Sequence, residues 1–221
     1  MNNKFTCSIV ESIECITNWN KSRKQAFTLA EVLVTLGIIG VVSAMTIPSL
    51  VQNYQRDTYV TQLHKVYNDI TQGFKQVITD SNAVSLGESN YTARGAAWFL
   101  NNYFKTLTTC TVDDLDSCFA DSYQNMVGTN IDLSDTVDGN CAVIASGSAI
   151  CLDQRFVTVD VNGKKGPNIF GRDLFVFNVM NDGTIDSGVV GNFDEQCREA
   201  ESAGDVSCFA RIISDGWRME Y

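Results

Sequence analysis

The chain opens with a polar stretch and then changes abruptly to a long apolar run. From Val32 to Ile47 no residue is charged, and only Thr35, Ser43 and Thr46 carry a side-chain hydroxyl. A helix over residues 27–51 would be long enough to cross the hydrocarbon core of a bilayer. We therefore predict a membrane-spanning helix in this part of the chain.

Beyond the apolar run the pattern becomes that of an amphipathic helix. Apolar residues recur at three- and four-residue steps, which places them on one helical face. Pro48 removes one backbone hydrogen bond, so we expect a bend there. The apolar face is expected to receive a globular domain and comprises Val60, Leu63, Tyr67, Ile70, Phe74 and Val77.

A second, shorter helix is predicted from Ala93 to Leu107. Its apolar face would carry Ala96, Leu100, Tyr103 and Leu107. The stretch from Cys110 to Asn140 is rich in Asp, Ser, Thr and Asn, and this composition indicates loop with at most short strands.

From Cys141 onward the periodicity is that of strands. Segments 141–144 and 149–152 flank Ser146-Gly147, which predicts a hairpin with Cys141 opposite Cys151. Further strands are predicted at 156–160 and 174–179, and a turn at 181–183 leads to another. We therefore predict an α+β fold in which the long N-terminal helix packs against an antiparallel sheet.

Glu31 is the one charged residue inside the predicted span. A carboxylate at the centre of a membrane helix costs about 2.5 to 3.5 kcal/mol, so an acid there is a functional candidate that needs a partner.

These features together resemble the N-terminal signature of type IV pilins and type II secretion pseudopilins. The family signature is a basic leader that ends in a small residue and is followed by Phe-Thr-Leu-x-Glu. The corresponding segment here is RKQAFTLAEV, from Arg23 to Val32. Counted from Phe27, Glu31 is the fifth residue and Pro48 the twenty-second, which are the family's positions. Ala26 stands where the family usually has Gly.

The resemblance implies how the chain is processed and organised. A prepilin peptidase would remove the leader 1–26 by cutting between Ala26 and Phe27, and the new Phe27 amine would be N-methylated. Residues 27–51 would then be the transmembrane and filament-core helix, and 52–221 a periplasmic or extracellular pilin-like domain. Glu31 would meet the Phe27 amine of a neighbouring subunit, since methylation leaves that amine protonatable.

An ordinary secretory signal peptide is the main alternative for this stretch. Val42-Ser43-Ala44 fits a small-x-small cleavage site, and Lys21, Arg23 and Lys24 fit a basic n-region. The long polar stretch before the apolar core and the acid inside it argue against this alternative. A plain membrane anchor is the third possibility.

The net charge and the predicted membrane topology limit the kinds of partner that the protein could bind. The formal charge is −10, and removal of residues 1–26, with four basic and two acidic residues, makes it −12. Such a balance gives no support to direct nucleic-acid binding, which needs clustered Lys and Arg. The basic side precedes the span, so the positive-inside tendency places the leader in the cytoplasm and the domain outside.

The cysteines agree with this topology. Cys7 and Cys15 lie in the leader, where thiols stay reduced, and six others lie on the exported side, where disulfides persist. Six cysteines allow 15 pairings. We favour the sequential pairing, because it closes short loops worth about 2 to 3 kcal/mol each. Its members are Cys110–Cys118, Cys141–Cys151 and Cys197–Cys208, the last similar to the C-terminal disulfide loop of pilins.

The segment between two predicted strands extends the resemblance. Asp160 to Asp173 looks like the Asp-x-Asn-Gly-x-x-Gly-Pro-Asn-x-x-Gly-x-Asp segment common in pseudopilin-like domains. Its oxygen-bearing residues Asp160, Asn162, Asn168 and Asp173 make calcium conceivable. No Glu closes an EF-hand loop here, and side chains that cap backbone groups in turns are the simpler interpretation. No other cofactor is expected.

No enzyme chemistry is predicted. His64 is the sole histidine and lies beside an apolar helix stripe, so no side chain is supported as the base of a catalytic triad. A zinc site is not predicted either, because the sequence contains no Cys-x-x-Cys motif. Asp113, Asp114 and Asp116 are expected to be a solvated loop.

The sequence therefore predicts a structural subunit of a type II secretion pseudopilus, held in the inner membrane by one pass. Its partners would be the prepilin peptidase and methylase, other pilin or pseudopilin subunits and the inner-membrane assembly platform. A type IV pilus subunit for adhesion, motility or DNA uptake is the first alternative. A secreted disulfide-bonded binding domain is the second.

Overall fold

The computed structural model describes residues 27–134, 137, 139–153, 155–186, 188, 191–202, 204 and 206–221. The predictions for Ala26, the leader and its two cysteines lie outside these residues. The chain divides into two compact units with the boundary between Leu50 and Val51. A helix, α1, has the bounds Leu29–Asp80 and contributes to both units.

In the first unit the large apolar side chains of α1 are exposed and are not buried in a protein core. From Phe27 to Leu50 they are between 43% and 86% exposed. Within the part of the chain that the structure describes, α1 is the one helix long and apolar enough to cross a membrane. Pro48 lies inside α1.

The second unit contains the sheet, and its strands are antiparallel. The six-stranded sheet has the order β1-β4-β5-β6-β7-β8, and β2 pairs with β3 in a separate ribbon. The strands are β1 Thr106–Cys110, β2 Tyr123–Gln124, β3 Asn130–Ile131, β4 Asn140–Ile144, β5 Ala149–Asp153, β6 Phe156–Asp160, β7 Leu174–Val179 and β8 Ile185–Asp186. The α+β prediction is confirmed.

The predicted hairpin and its register are also confirmed. Cys141 lies opposite Cys151 in the β4–β5 ladder. A tight turn closes the hairpin, because Gly147 donates its N–H to the carbonyl of Ile144. Successive side chains along these strands point to opposite faces of the sheet, as in any sheet.

The second predicted helix is displaced and shorter than expected. Helix α2 is Asn90–Tyr103, and Ser89 caps it by accepting from the N–H of Tyr91. Gly95 breaks its regular geometry with φ 80° and ψ 175°, a region that only glycine occupies readily. Leu107 was predicted on its apolar face, but it lies in β1 and is exposed. The β-branched threonines around Leu107 explain this strand.

The predicted apolar stripe of α1 forms one wall of the core. Tyr67 is half-buried, and Val66 takes a buried place in the stripe that the sequence had not assigned. Phe74 stacks on Phe99 of α2 at a ring-centroid distance of 4.6 Å. Helix α3, Ser207–Ser214, brings Phe209 to within 5.0 Å of Phe177 in β7. One apolar cluster thus joins α1, α2, α3 and the sheet.

Candidate functional site

The start of α1 is built by a reciprocal cap. The Glu31 N–H donates to Oγ1 of Thr28 at 3.2 Å, and the Thr28 N–H donates to Oε2 of Glu31 at 3.1 Å. This is a capping box, in which an N-cap hydroxyl and an acid three residues later satisfy two otherwise free donors. The Thr-Leu-Ala-Glu spacing therefore specifies where the helix begins.

The capping box changes the expectation for Glu31. The prediction that Glu31 needs a cationic partner stays a prediction, but within the single chain its carboxylate already accepts the Thr28 N–H. An ionised carboxylate has about four acceptor positions on two oxygens. Glu31 can therefore retain its cap and still accept from a further cation.

Phe27 precedes the cap and is 86% exposed. The bond that we predict to be cut lies directly before it, and Ala26 is outside the described residues. The geometry thus presents an aromatic residue, a capped helix start and an acid within five residues. Sequence reasoning had assigned Phe27, Glu31 and Pro48 but had overlooked the part played by Thr28, which the capping-box spacing could have revealed.

The turn between β6 and β7 is held by side chains that accept from the backbone. Asp173 accepts from the N–H groups of Asn168 at 2.7 Å and Ile169 at 2.6 Å. Asp160 accepts from the Asn162 N–H at 3.1 Å, and Asn162 donates its side-chain amide to the carbonyl of Gly166. These are the capped turns that the simpler interpretation predicted.

A residue distant in sequence completes this cluster. The Tyr123 hydroxyl donates to Oδ2 of Asp160 at 2.5 Å. Both Asp160 and Asp173 are fully buried. Burial raises the pKa of Asp160 to about 8, with the Tyr123 bond opposing and the charge of Asp173 adding to the shift. Burial likewise raises the pKa of Asp173, against the effect of its backbone donors.

The same residues fit calcium poorly. Two oxygens favour an ion, since the side-chain oxygens of Asn162 and Asn168 are buried and lack a hydrogen-bond partner. Both carboxylates, however, are already committed to N–H or hydroxyl donors. Among the described residues no group of three or more His, Cys, Asp or Glu could hold a metal ion.

We therefore expect calcium to leave the stability of the domain unchanged. The melting temperature in millimolar calcium should equal that in chelator to within about 1 °C, since a ligand without a native-state site gives no linkage stabilisation. Asp173→Asn is the matched variant. A rise with calcium that this variant abolishes would contradict the interpretation as capped turns.

Asp160 should make stability depend on pH. Its native pKa of about 8 lies above the unfolded value, so the native state holds a proton that the unfolded state releases. The stability that Asp160 contributes is complete below about pH 4 and is lost as pH rises towards 8, by at most about 1.4 kcal/mol per pH unit. Urea unfolding at pH 5, 6, 7 and 8 measures this slope. Asp160→Asn should reduce the slope and leave the part that is due to Asp173, and an equal slope in that variant would exclude Asp160 as a source.

Three disulfides join the six cysteines of the second unit in sequential order. They are Cys110–Cys118, Cys141–Cys151 and Cys197–Cys208. The first lies between β1 and a 3₁₀ helix, Val112–Ser117, and the third connects a π-helical turn, Asp194–Arg198, to α3. The second lies across the β4–β5 hairpin and joins two paired strands.

The remaining candidates have structural roles. His64 stacks on Trp217 with ring centroids 4.0 Å apart. Asp114 accepts from the Thr111 N–H at 2.7 Å and caps the 3₁₀ helix, while Asp113 and Asp116 are exposed. No arrangement of a nucleophile with a base is formed by these side chains.

Comparison with known proteins bears on the N-terminal segment. The profile described as "Prokaryotic N-terminal methylation motif" matches residues 21–47. No curated protein and no solved structure matches the chain. The match covers the segment in which the capping box, Phe27 and Glu31 lie.

The motif and the fold point to the same kind of protein. The chain carries the signature of type IV pilins and pseudopilins and has their layout of a long N-terminal helix with an antiparallel sheet. The motif supports a type IV pilin-like protein, and it implies processing by a prepilin peptidase and assembly with other pilin subunits. The apolar helix fits membrane anchoring and filament assembly.

Proposed function

We propose that the protein is a structural subunit of a type II secretion pseudopilus. It would be stored in the inner membrane by α1, with the disulfide-bonded domain in the periplasm, and it would be drawn into a short filament by an inner-membrane assembly platform. The observation that carries the proposal is a capped, acid-bearing apolar helix beginning beside Phe27, on which the apolar side chains lack a protein cover.

Two further observations support the choice of compartment and filament. The basic leader precedes the span, which favours an exported second unit, where disulfides persist. The Asp160–Asp173 segment forms the turn between two strands of the sheet and resembles that of pseudopilin-like domains. A type IV pilus subunit remains the second candidate, since the cysteine-bounded loops suit an adhesive tip.

The mechanism of assembly follows from the chemistry of the N-terminus. Cleavage before Phe27 creates an amine, and methylation leaves it protonated near neutral pH. In a filament this cation would meet Glu31 of an adjacent subunit, because two opposite charges in a low-dielectric surrounding attract far more strongly than in water. Pairing would fix the register between neighbouring helices.

The N-terminus of the native protein tests the proposal. Mass spectrometry of the protein purified from membranes should find N-methyl-Phe27 as the first residue. A chain beginning at Met45 would instead indicate secretion after signal-peptide cleavage, and one beginning at Met1 would indicate a plain anchor. Loss of the protein should then abolish secretion through the apparatus; intact secretion with lost adhesion or motility would favour the pilus.

A further inference from the structure

Three buried cysteines lie side by side across three neighbouring strands of the sheet. Cys110 of β1 lies opposite Cys141 of β4, and Cys141 lies opposite Cys151 of β5. Residues directly opposite one another in an antiparallel pair carry their side chains on the same face, with Cβ atoms about 4.5 to 5.5 Å apart. The three side chains therefore form a row, which we call the cysteine row, with Cys141 in the middle.

The cysteine row contains sulfurs of two different disulfides. Cys141 is bonded to Cys151 within the row. Cys110 is bonded to Cys118, which lies outside the row at the end of the 3₁₀ helix Val112–Ser117. Opposite residues have Cα atoms about 4.5 to 5.5 Å apart, and a disulfide accepts about 4.4 to 6.8 Å. The strand register thus allows Cys141 to bond to Cys110 as well as to Cys151.

The order of the strands favours exchange between these two pairings. In thiol–disulfide exchange a thiolate attacks one sulfur of a disulfide, and the other sulfur leaves. The attack is easiest from behind the bond that breaks, where the entering and leaving sulfurs lie on opposite sides of the central sulfur. Because β4 lies between β1 and β5, Cys110 stands on the side of Cys141 that is opposite to Cys151. The sheet therefore places Cys110 on the side from which a thiolate must attack.

A cavity beside the cysteine row gives these side chains room to turn. It has a volume of about 350 Å³, lies between α2 and the sheet, and is lined by both Cys110 and Cys141. Its lining includes Thr111 and Asp114, which are exposed. The adjoining residues Val112–Ser117 are exposed or half-buried. A segment with so little buried surface is expected to open locally at low free-energy cost, which admits a thiol to the Cys110–Cys118 disulfide.

We propose that the cysteine row is a redox-responsive exchange site, in which a thiol that opens Cys110–Cys118 leads to a Cys110–Cys141 disulfide. An external thiolate attacks Sγ of Cys118 and forms a mixed disulfide with it, and Cys110 leaves as a thiolate. The Cys110 thiolate then attacks Sγ of Cys141, and Cys151 leaves as a thiolate that takes up a proton. One thiol is consumed and one is released, so the number of disulfide bonds is unchanged and no oxidant is needed.

The exchange changes which segments are cross-linked. Before it, one disulfide closes the loop 111–117 and another joins β4 to β5. After it, β1 is joined to β4 and the loop is no longer closed, while the strand pairing of the sheet is kept. The loop carries Asp113, Asp114 and Asp116, which are exposed. Exchange would thus release an acidic surface segment in response to thiols.

Two variants that lose the same disulfide test the exchange. Cys118→Ser leaves a thiol at Cys110, inside the row, and Cys110→Ser leaves a thiol at Cys118, outside it. Both full chains also carry Cys7→Ser and Cys15→Ser, so the result does not depend on processing of the leader. They are kept in an uncharged detergent for several hours at about pH 8, where part of a free thiol is ionised. Acid then stops the exchange, and the disulfides are mapped by mass spectrometry of peptic peptides.

The variants should differ in their disulfides. Cys118→Ser should contain Cys110–Cys141 in at least about one chain in ten, the fraction expected if the two pairings differ by less than about 1.4 kcal/mol. Cys110→Ser should retain Cys141–Cys151. Complete retention of Cys141–Cys151 in both variants would overturn the proposal. Equal loss of that disulfide in both would show general opening of the domain and would overturn it as well.

The chain with all six exported cysteines shows which thiols start the exchange. It is treated with a limiting amount of glutathione or of a thioredoxin that retains only its attacking cysteine, to separate a small thiol from a protein thiol. Either reagent that acts should give Cys110–Cys141, an adduct at Cys118 and a free thiol at Cys151. Cys197–Cys208 is the internal control and should stay intact, since it joins a π-helical turn to α3 and lies outside the row. An adduct at Cys118 without Cys110–Cys141 would show simple opening of one disulfide and would contradict the proposal.

Discussion

Replacing Glu31 by glutamine should abolish filament assembly while leaving processing intact. Glutamine at the third helical position can still complete the capping box with Thr28, so the helix start is preserved. The negative charge is lost, and the Phe27 amine of the neighbouring subunit would be buried without a counterion. Removing one partner of a buried ion pair costs about 3 to 5 kcal/mol. This cost corresponds to a loss of more than about 100-fold in the affinity of a subunit for the filament.

The measurement compares sheared filaments with membrane-bound protein by immunoblot, together with the mass of the N-terminal peptide. Glu31→Ala should be equally defective, with N-methyl-Phe27 still present. Thr28→Val is the matched control, because it removes the hydroxyl of the cap but keeps the acid. Filament yield near that of the unmodified protein is expected for this control. Should Glu31→Gln assemble normally while Thr28→Val fails, the acid would act through the cap and not through the neighbour's amine.

Local patterns account for most of what the sequence predicted. The β4–β5 hairpin needs only a short turn between two mostly apolar segments, and β6 and β7 have the predicted bounds. The start of α1 is likewise encoded within four residues. The end of α2 was missed because Leu107 fits a helical period as well as a strand, and pairing of β1 with β4 decides between them.

The parts that could not be predicted depend on contacts distant in sequence. Tyr123 meets Asp160 across 37 positions from a region of irregular structure, where no periodicity indicates which side chains are buried. His64 of α1 likewise stacks on Trp217 near the end of the chain, and only the tertiary fold brings the two rings together. A single sequence has no pattern that specifies such pairs, because their spacing is set by packing and not by a repeat.

Replacing Gly171 by alanine should destabilise the second unit severely. Gly171 has φ +80°, a conformation that disfavours any Cβ, and an added Cβ would lie 2.9 Å from both sulfurs of the Cys197–Cys208 disulfide and against Cε of Met126. Its carbonyl also accepts the Tyr221 hydroxyl, so the turn cannot move freely. Overpacking costs about 1 to 3 kcal/mol and the backbone conformation about 1 kcal/mol more. The expected total, about 2 to 4 kcal/mol, would lower the melting temperature of a domain this size by about 4 to 16 °C.

Gly216→Ala separates the two contributions. Gly216 also has positive φ, at +69°, but nothing lies within 4 Å of the position that its Cβ would take. It should therefore lose only the backbone part, about 1 kcal/mol. Urea unfolding of both variants with the disulfides intact gives the comparison. Equal losses of unfolding free energy in the two variants would mean that the turn at Gly171 moves to accommodate the added methyl group. A larger loss for Gly171→Ala would show that the segment between β6 and β7 is packed rigidly on the Cys197–Cys208 disulfide, which ties the turn bearing Arg172 to the end of the chain.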